Sequence, residues 1–486
     1  MFSYSDYSRL EKLFGLLLLL GETYMLVHAF GYMINVFTLT GAQHRKPPSK
    51  ELKPGKEPSV AIVVAARHEP KEVLEDTIIT FRNVNYPNKT IYFLDDSSEH
   101  AYKDEADALE RDHGIKIFRR AERHGAKAGI VNDFLRGMTE KYIAIFDADQ
   151  NPMPEFLNEL IPLLEGDEKL AFVQTPQFYT NIGESAVAKG SAMQQAIFYE
   201  TICEGKNESD SMFCCGTNVV FRREALLDVG GFEEEFITED FATSVNLHMK
   251  GWHSWYHNHV VAFGSAPETL PAYFKQQARW AGGTISVFRK LLLNFARHPF
   301  KLSPMQWWEY MLAGTYYFVG WAFFFLMICP IAFLLFNVPS FFVYPQVYLA
   351  TYIPYFCLTM LIFTGTMKER HYNLKQIYYG LILGSLCFPL MMKAAVYGII
   401  GKRMTFVVTT KGKAEVLPLS ALWPYGLMMG LNIAAFAVGI FKFSHNPYAV
   451  GVNMFWVAYH LFILWNIFHF NRLPVLGREE VARWKA

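Results

Sequence analysis

Six cysteines in 486 residues (Cys203, Cys214, Cys215, Cys329, Cys357 and Cys387), none in a C-x-x-C or Cys/His spacing, suggest neither a disulfide framework nor a structural zinc site. A reduced compartment fits them. Net charge is missing as well. The 45 Lys plus Arg balance the 45 Asp plus Glu, so bulk charge argues for neither nucleic acid nor another polyanion as partner. No glycine-rich phosphate loop of the G-x-G-x-x-G or G-x-x-x-x-G-K type occurs, which leaves a Rossmann cofactor and ATP-driven chemistry unsupported. What the chain has in excess is apolar surface: 52% hydrophobic and 16% aromatic residues, concentrated in the C-terminal part. That pattern predicts an integral membrane protein with one large aqueous domain.

Residues 13–40 are mostly apolar and span about 42 Å as a helix, too long for one upright crossing and too short for two. One tilted helix is expected, and the long run without a small-residue cleavage pattern argues against a signal peptide. Glu22 and His28 within it should face other helices or the interface. His44, Arg45, Lys46, Lys50, Lys53 and Lys56 follow at once, placing residue 44 onward in the cytoplasm.

From Pro58 the pattern changes to short apolar runs separated by polar helical stretches. Strands are predicted at 60–66, 91–94, 115–118, 142–146 and 170–173, with helices at 71–83, 101–112 and 126–139. Alternating β and α segments predict a mostly parallel sheet whose ligand site lies at the carboxyl ends of the strands. Those ends are acidic: one strand runs into Asp95-Asp96, another into Asp147-Ala148-Asp149. A lone D-x-D usually marks a solvated turn. After an apolar strand in this topology, two such carboxylates can instead hold a hard divalent ion bridging diphosphate oxygens. Lys127 opens the next helix, where it could meet a phosphate or the acidic pair, or be an ordinary surface cation. Asp240 stands near the start of a helix beginning after Thr238-Glu239. A carboxylate there is favoured as the anion, which suits a general base and suits a plain cap equally.

Gln276-Gln277-Ala278-Arg279-Trp280 marks the junction between the two compositions. Residues 286–302 read as an amphipathic helix on the cytoplasmic face. Crossings are predicted at 310–336, 341–364, 423–441 and 450–470, which with the N-terminal helix makes five spans, or six if the N-terminal stretch is a hairpin. Residues 376–400 are long enough to cross, but doing so would put Lys402, Arg403, Lys411 and Lys413 outside; an interfacial or re-entrant helix is expected. The divisions are an anchor (1–43), an α/β domain (58–282), an interfacial helix (283–305), two crossings (306–366), the re-entrant helix (376–400), a loop (401–415), two more crossings (421–471) and a cytosolic tail (472–486). The dense aromatics of the spans are expected mainly to pack or to face lipid.

Asp95-Asp96, Asp147-x-Asp149, Thr238-Glu239-Asp240 and Gln276-x-x-Arg279-Trp280, in this order, resemble the processive glycosyltransferases of family 2, above all the cellulose synthase catalytic subunits. Val173 to Phe178, Phe213-Cys214-Cys215-Gly216-Thr217-Asn218 and Phe406-Val407-Val408-Thr409-Thr410-Lys411 are similar to further segments of that family. Each motif is weak singly; the ordered series, covering roughly residues 58–470, is strong. The resemblance implies a GT-A fold and a UDP-sugar donor, with Glu69, Asp95, Asp96, Lys127, Asp147, Asp149, Gln276 and Arg279 around the nucleotide sugar. It implies Mg2+ or Mn2+ on Asp147 and Asp149, and Asp240, with Glu239 and Thr238 beside it, as the catalytic base group. It implies Trp280, Phe213, Cys214 and Gly216 at the acceptor, and a gating loop carrying Phe406, Val408, Thr409 and Lys411. Its implied partners are a growing polysaccharide and the lipid bilayer, with room for accessory subunits or a homo-oligomer. It places the protein in the plasma membrane with its catalytic domain in the cytoplasm.

The chain also departs from the family. Ala65-Ala66-Arg67-His68 stands before Glu69 where relatives carry proline, threonine, tyrosine and asparagine, and a C-terminal cyclic-dinucleotide-binding domain is not expected. Two other readings keep much of the same sequence. One is a non-processive glycosyltransferase acting on a membrane lipid; the other is a non-catalytic membrane binding or transport protein.

Overall fold

The computed structural model describes residues 7–41, 44–340, 345–401 and 415–474. Seven strands form the main sheet: β1 (Val60–Ala66), β2 (Lys89–Asp95), β3 (Lys116–Phe118), β4 (Tyr142–Phe146), β5 (Leu170–Gln174), β6 (Val219–Arg222) and β7 (His253–Tyr256). Their order across the sheet is β3-β2-β1-β4-β6-β5-β7. Only β6 runs against its neighbours, so the sheet is mostly parallel as expected. Alternate residues of β1 serve opposite faces, as the period of two requires. Val60, Ile62 and Val64 join the core under the Lys71–Asn83 and Phe156–Gly166 helices. Ala61 and Val63 join the core under the Ala126–Gly137 helix. Both faces are covered, which is why these strands read as continuous apolar runs.

Register brings the acidic strand ends together. Val64 of β1 pairs with Phe93 of β2 and with Phe146 of β4, so Asp95-Asp96 and Asp147 leave the sheet along the same edge. The antiparallel β6 adds the segment that precedes it: Val219 pairs with Ile145, which returns Gly216, Thr217 and Asn218 to that edge. A small three-stranded sheet joins Asn151–Pro152, Ala262–Gly264 and Phe178–Tyr179 beside it.

Among the described residues, five helices are long and apolar enough to cross a membrane: Arg9–Thr40, Pro304–Phe336, Leu349–Glu369, Leu419–Lys442 and Pro447–Phe470. A sixth would be the pair Leu374–Leu386 and Phe388–Ile400, bent by 49°. Pro389 sits in the first turn of the second helix, where the ring forces the preceding helix to stop. The N-terminal helix starts at Arg9, earlier than its apolar run, because Ser8 and Glu11 form a capping box. His28 meets Thr315 of the next span through Nε2 at 3.4 Å, as expected of a polar residue facing another helix. Tyr352 and Trp456 pack edge to face with centroids 5.5 Å apart.

One boundary differs from the sequence reading. The junction motif and the amphipathic stretch are one helix, Leu270–Arg297, capped by Thr269. Tyr273, Gln277, Ala281, Ile285 and Leu291 give it a buried stripe that runs through the change in composition without a break. The membrane helices beyond it share a core around Met327, Leu383 and Phe388 with Leu270 and Tyr273 of this helix.

Candidate active site

Asp240 lies in the first turn of the Glu239–Met249 helix, where the free backbone N–H groups favour an anion. Its Oδ1 accepts from the N–H of Phe241 at 2.8 Å. Ser244 Oγ donates to the Asp240 carbonyl at 2.7 Å and accepts from Cys214 N at 2.8 Å, tying the 213–218 segment to this helix. Gly216 is where the two approach. It has φ +82°, and a Cβ there would stand 3.0 Å from Asp240 Oδ2, so any side chain would meet backbone strain and press on the carboxylate.

Lys127 completes the link to the strand ends. Its ammonium bonds Asp147 Oδ1 and donates to the Gly216 carbonyl at 2.8 Å. Asp147 N donates to Thr217 Oγ1 at 2.9 Å. Lys127, Gly216, Glu239 and Asp240 share a cavity of about 10 Å³, near the room one water needs. Burial lifts Asp240 from 3.8 to about 6, against the N–H of Phe241 and the charges of Lys127 and Arg279. Burial, and then the charge of Asp240, lift Glu239 from 4.5 to about 7. Arg279 thus acts on both carboxyls from the junction helix.

These shifts give a pH prediction with two opposite signs. Were Asp240 a catalytic base it would act only when deprotonated, so turnover should rise as pH increases through about 6. Because the folded pKa values are raised, their contribution to stability is fully present below 3.8 and 4.5 and is lost as pH rises through about 6 and 7. Rate and thermal unfolding measured from pH 5 to 8 should move in opposite directions; a flat rate profile would contradict the assignment.

Tyr179 brings the small sheet to the same place. Its hydroxyl accepts from Gln195 Nε2 at 3.1 Å and lies within electrostatic reach of Asp149 and Asp147. Asp147 and Asp149 are both partly exposed at the end of β4. An all-oxygen donor set of two carboxylates, completed by diphosphate oxygens, fits Mg2+ or Mn2+.

The structure gives the first acidic pair partners that the sequence reading missed. Asp95 Oδ2 accepts from Arg119 Nε at 2.6 Å. Asp96 is held by Arg120 through two bonds of 2.9 and 3.0 Å and by Arg123 at 2.9 Å. A basic run after a short strand reads as solvated surface, yet the Arg120 side chain is 4% exposed. Tyr179 and Gln195 were also missed.

Glu69 follows His68, which has φ +58° and stacks on Tyr102 with centroids 4.8 Å apart. Phe213 packs edge to face on Phe241 at 4.9 Å, and Cys214 is buried with its Sγ accepting from Gly216 N at 3.3 Å. Trp280 is partly exposed on the junction helix, one residue after Arg279. Thr238 is buried against that helix: a Cβ on Gly283 would come within 2.6 Å of Thr238 Cγ2 and 3.0 Å of its backbone nitrogen. Gly283→Val should therefore push the junction away from Asp240. We expect about 1–3 kcal/mol lower stability and slower transfer, read by thermal unfolding and initial rates. Unchanged values for both would mean that this contact is not needed. Phe406, Val408, Thr409 and Lys411 lie outside the described residues.

Residues 58–283 match the family described as glycosyltransferase like family 2, and residues 229–469 match the family described as cellulose synthase. The chain is 26% identical over 470 residues to the UDP-forming cellulose synthase catalytic subunit of Pseudomonas fluorescens, covering 93% of this chain and 61% of that protein. It is 26% identical over 484 residues to the cellulose synthase 1 catalytic subunit of Komagataeibacter xylinus, covering 95% and 62%. Against a UDP-forming cellulose synthase of Dictyostelium discoideum, identity is 39% over 168 residues, covering 33% and 16%. The chain thus spans less than two thirds of the length of these relatives. The Pyrobaculum calidifontis mannosyltransferase, solved with GDP-mannose and Mn2+, aligns with a TM-score of 0.58 at 16% identity, covering 80% of this chain and all of that one. The fold is GT-A-like.

Proposed function

This chain belongs to the family 2 glycosyltransferases and, within them, to the cellulose synthase family, and we propose that it is a processive, inverting glycosyltransferase of the membrane. It elongates a β-linked polysaccharide from a UDP-sugar, UDP-glucose first among donors, and passes the product through its own spans. The observation that carries this reading is the linked set Asp147, Lys127, Gly216 and Asp240 at the carboxyl edge of the sheet, with Arg279 acting on it from the helix that carries Trp280. The basic residues 44–56 support a cytoplasmic active domain, and the apolar helices support a multi-pass protein of the cell membrane.

In this reading Asp240 Oδ2 takes the proton of the acceptor hydroxyl. The freed oxygen bonds to the anomeric carbon as the bond from that carbon to UDP breaks on the opposite side, inverting the centre. Burial raises the basicity of Asp240 toward neutral pH, but a sugar hydroxyl is a far weaker acid. Base catalysis therefore supplies about 10²–10⁴-fold of the acceleration. Arg279 and Lys127 offset charge around the leaving diphosphate, and a divalent ion on Asp147 and Asp149 would neutralise its oxygens. UDP release by the named bacterial relatives supports the uridine donor.

Trp280 is the platform for the terminal sugar of the acceptor. Trp280→Ala should lower chain elongation by about tenfold, the worth of one lost stacking surface, while hydrolysis of the donor falls less. Polymer length and free sugar measured from the same reaction check this. Equal loss of both would remove Trp280 from acceptor binding.

A further inference from the structure

One cluster of metal-ligating side chains lies apart from the acidic recess. Glu159 Oε2, on the Phe156–Gly166 helix, accepts from His257 Nε2 at 2.8 Å and from His259 Nδ1 at 2.7 Å. Both histidines follow β7, the edge strand. His259 N reaches back to the His257 carbonyl, a three-residue turn that leaves both rings against Glu159, and the Asn258 amide at its tip bonds Glu204. The backbone that presents them is fixed: His257 N donates to the Gln174 carbonyl at 2.9 Å, and His259 N to the His257 carbonyl at 2.8 Å. The three ligand atoms lie within 4.8 Å of one another, and the two rings stand at 78° with centroids 6.0 Å apart. His259 is 58% exposed, so water and ions reach the cluster.

We propose that Glu159, His257 and His259 form a zinc site that clamps the Phe156–Gly166 helix to the edge of the sheet. Two imidazoles and one carboxylate are a donor set for Zn2+, with water in the fourth position, and differ from the all-carboxylate set of Asp147 and Asp149. Bonds of about 2.0–2.1 Å to zinc separate tetrahedral ligands by roughly 3.3 Å. The carboxylate therefore has to withdraw by about half an ångström from its present contacts. Both imidazoles must be neutral, with their lone pairs on Nε2 of His257 and Nδ1 of His259.

The clamp reaches the active centre through Gln174. His257 holds the Gln174 carbonyl, while the Gln174 side chain accepts from Cys215 N at 2.9 Å and donates to the Thr217 carbonyl at 2.8 Å. Thr217 in turn holds Asp147 N. An ion at the edge strand would steady the segment that carries Gly216.

The test uses the purified full-length protein in detergent, stripped by chelation and titrated with ZnCl₂ in the presence of Mg2+, with Co2+ as a spectroscopic substitute. We expect one zinc per chain, visible Co2+ bands of four-coordinate intensity, and a rise in thermal unfolding temperature with zinc. His259→Ala and His257→Ala should each weaken binding by more than about tenfold and lose the Co2+ bands. Asp147→Ala should keep both, which separates this site from the catalytic one. His259→Ala without zinc should unfold at the stripped wild-type temperature, showing that its loss of binding is not misfolding. No zinc bound by the wild type, or undiminished binding in the two histidine variants, would overturn the proposal.

Discussion

Asp240→Asn is expected to lower sugar transfer by about 10²–10⁴-fold while UDP affinity stays nearly unchanged. Asparagine keeps the shape of the side chain, and its oxygen can still accept from Phe241 N. It cannot take a proton. Removing a negative charge within electrostatic reach of Asp147 should not weaken binding of an anionic nucleotide. The charge of Asp240 also helps to raise Glu239 toward 7, so in the variant Glu239 should titrate closer to its ordinary value. Nucleotide binding by calorimetry and incorporation of labelled sugar, measured on one preparation, separate the two effects. Normal product from Asp240→Asn would move the base elsewhere, with Glu239 the next residue to replace.

Glu309→Gln is expected to cost about 3–5 kcal/mol of stability, because it leaves a buried charge uncompensated. Lys206 and Glu309 are 3% and 1% exposed, and their side chains meet at 2.6 Å. Lys206 also donates to the Glu309 carbonyl at 3.0 Å and lies over the Phe213 ring, 5.7 Å from its centroid. Lys206 belongs to the α/β domain and Glu309 to the first turns of the Pro304–Phe336 span, so the pair locks the two halves together. A paired Lys206→Met, Glu309→Met variant should recover much of the loss, since the two apolar side chains leave no charge buried alone. Thermal unfolding of the detergent-solubilised protein reads both. An unchanged midpoint for Glu309→Gln would mean that water reaches the pair.

The fold was legible wherever burial leaves a periodic trace. The strands at 60–66 and 142–146 are covered on both faces and read as continuous apolar runs, with their ends found to the residue. Pro389, in the first turn after the bend, marks in the sequence where the Leu374–Ile400 segment breaks. The four-residue β6 was not legible, because an antiparallel return after an irregular segment has no alternation with helices to announce it. The junction helix was divided at residue 282 because its composition changes there, although its buried stripe does not. The acidic half of the site was legible at strand ends. The arginines on Asp95 and Asp96 were not, since their partners lie 24 to 27 residues away and pairing depends on the turn after β3. The zinc ligands were out of reach for the same reason: the cysteine spacings say nothing of them, and Glu159 stands 98 and 100 residues from the two histidines.

The most direct test of the central claim is a stoichiometric assay of the purified protein in lipid nanodiscs with UDP-glucose and Mn2+. UDP released is compared with sugar incorporated, and the product is sized and digested with linkage-specific hydrolases. The account predicts UDP release that EDTA stops, matched mole for mole by a β-linked polymer many sugars long. A product of one or two sugars on lipid, or equal activity in metal-free buffer, would contradict it.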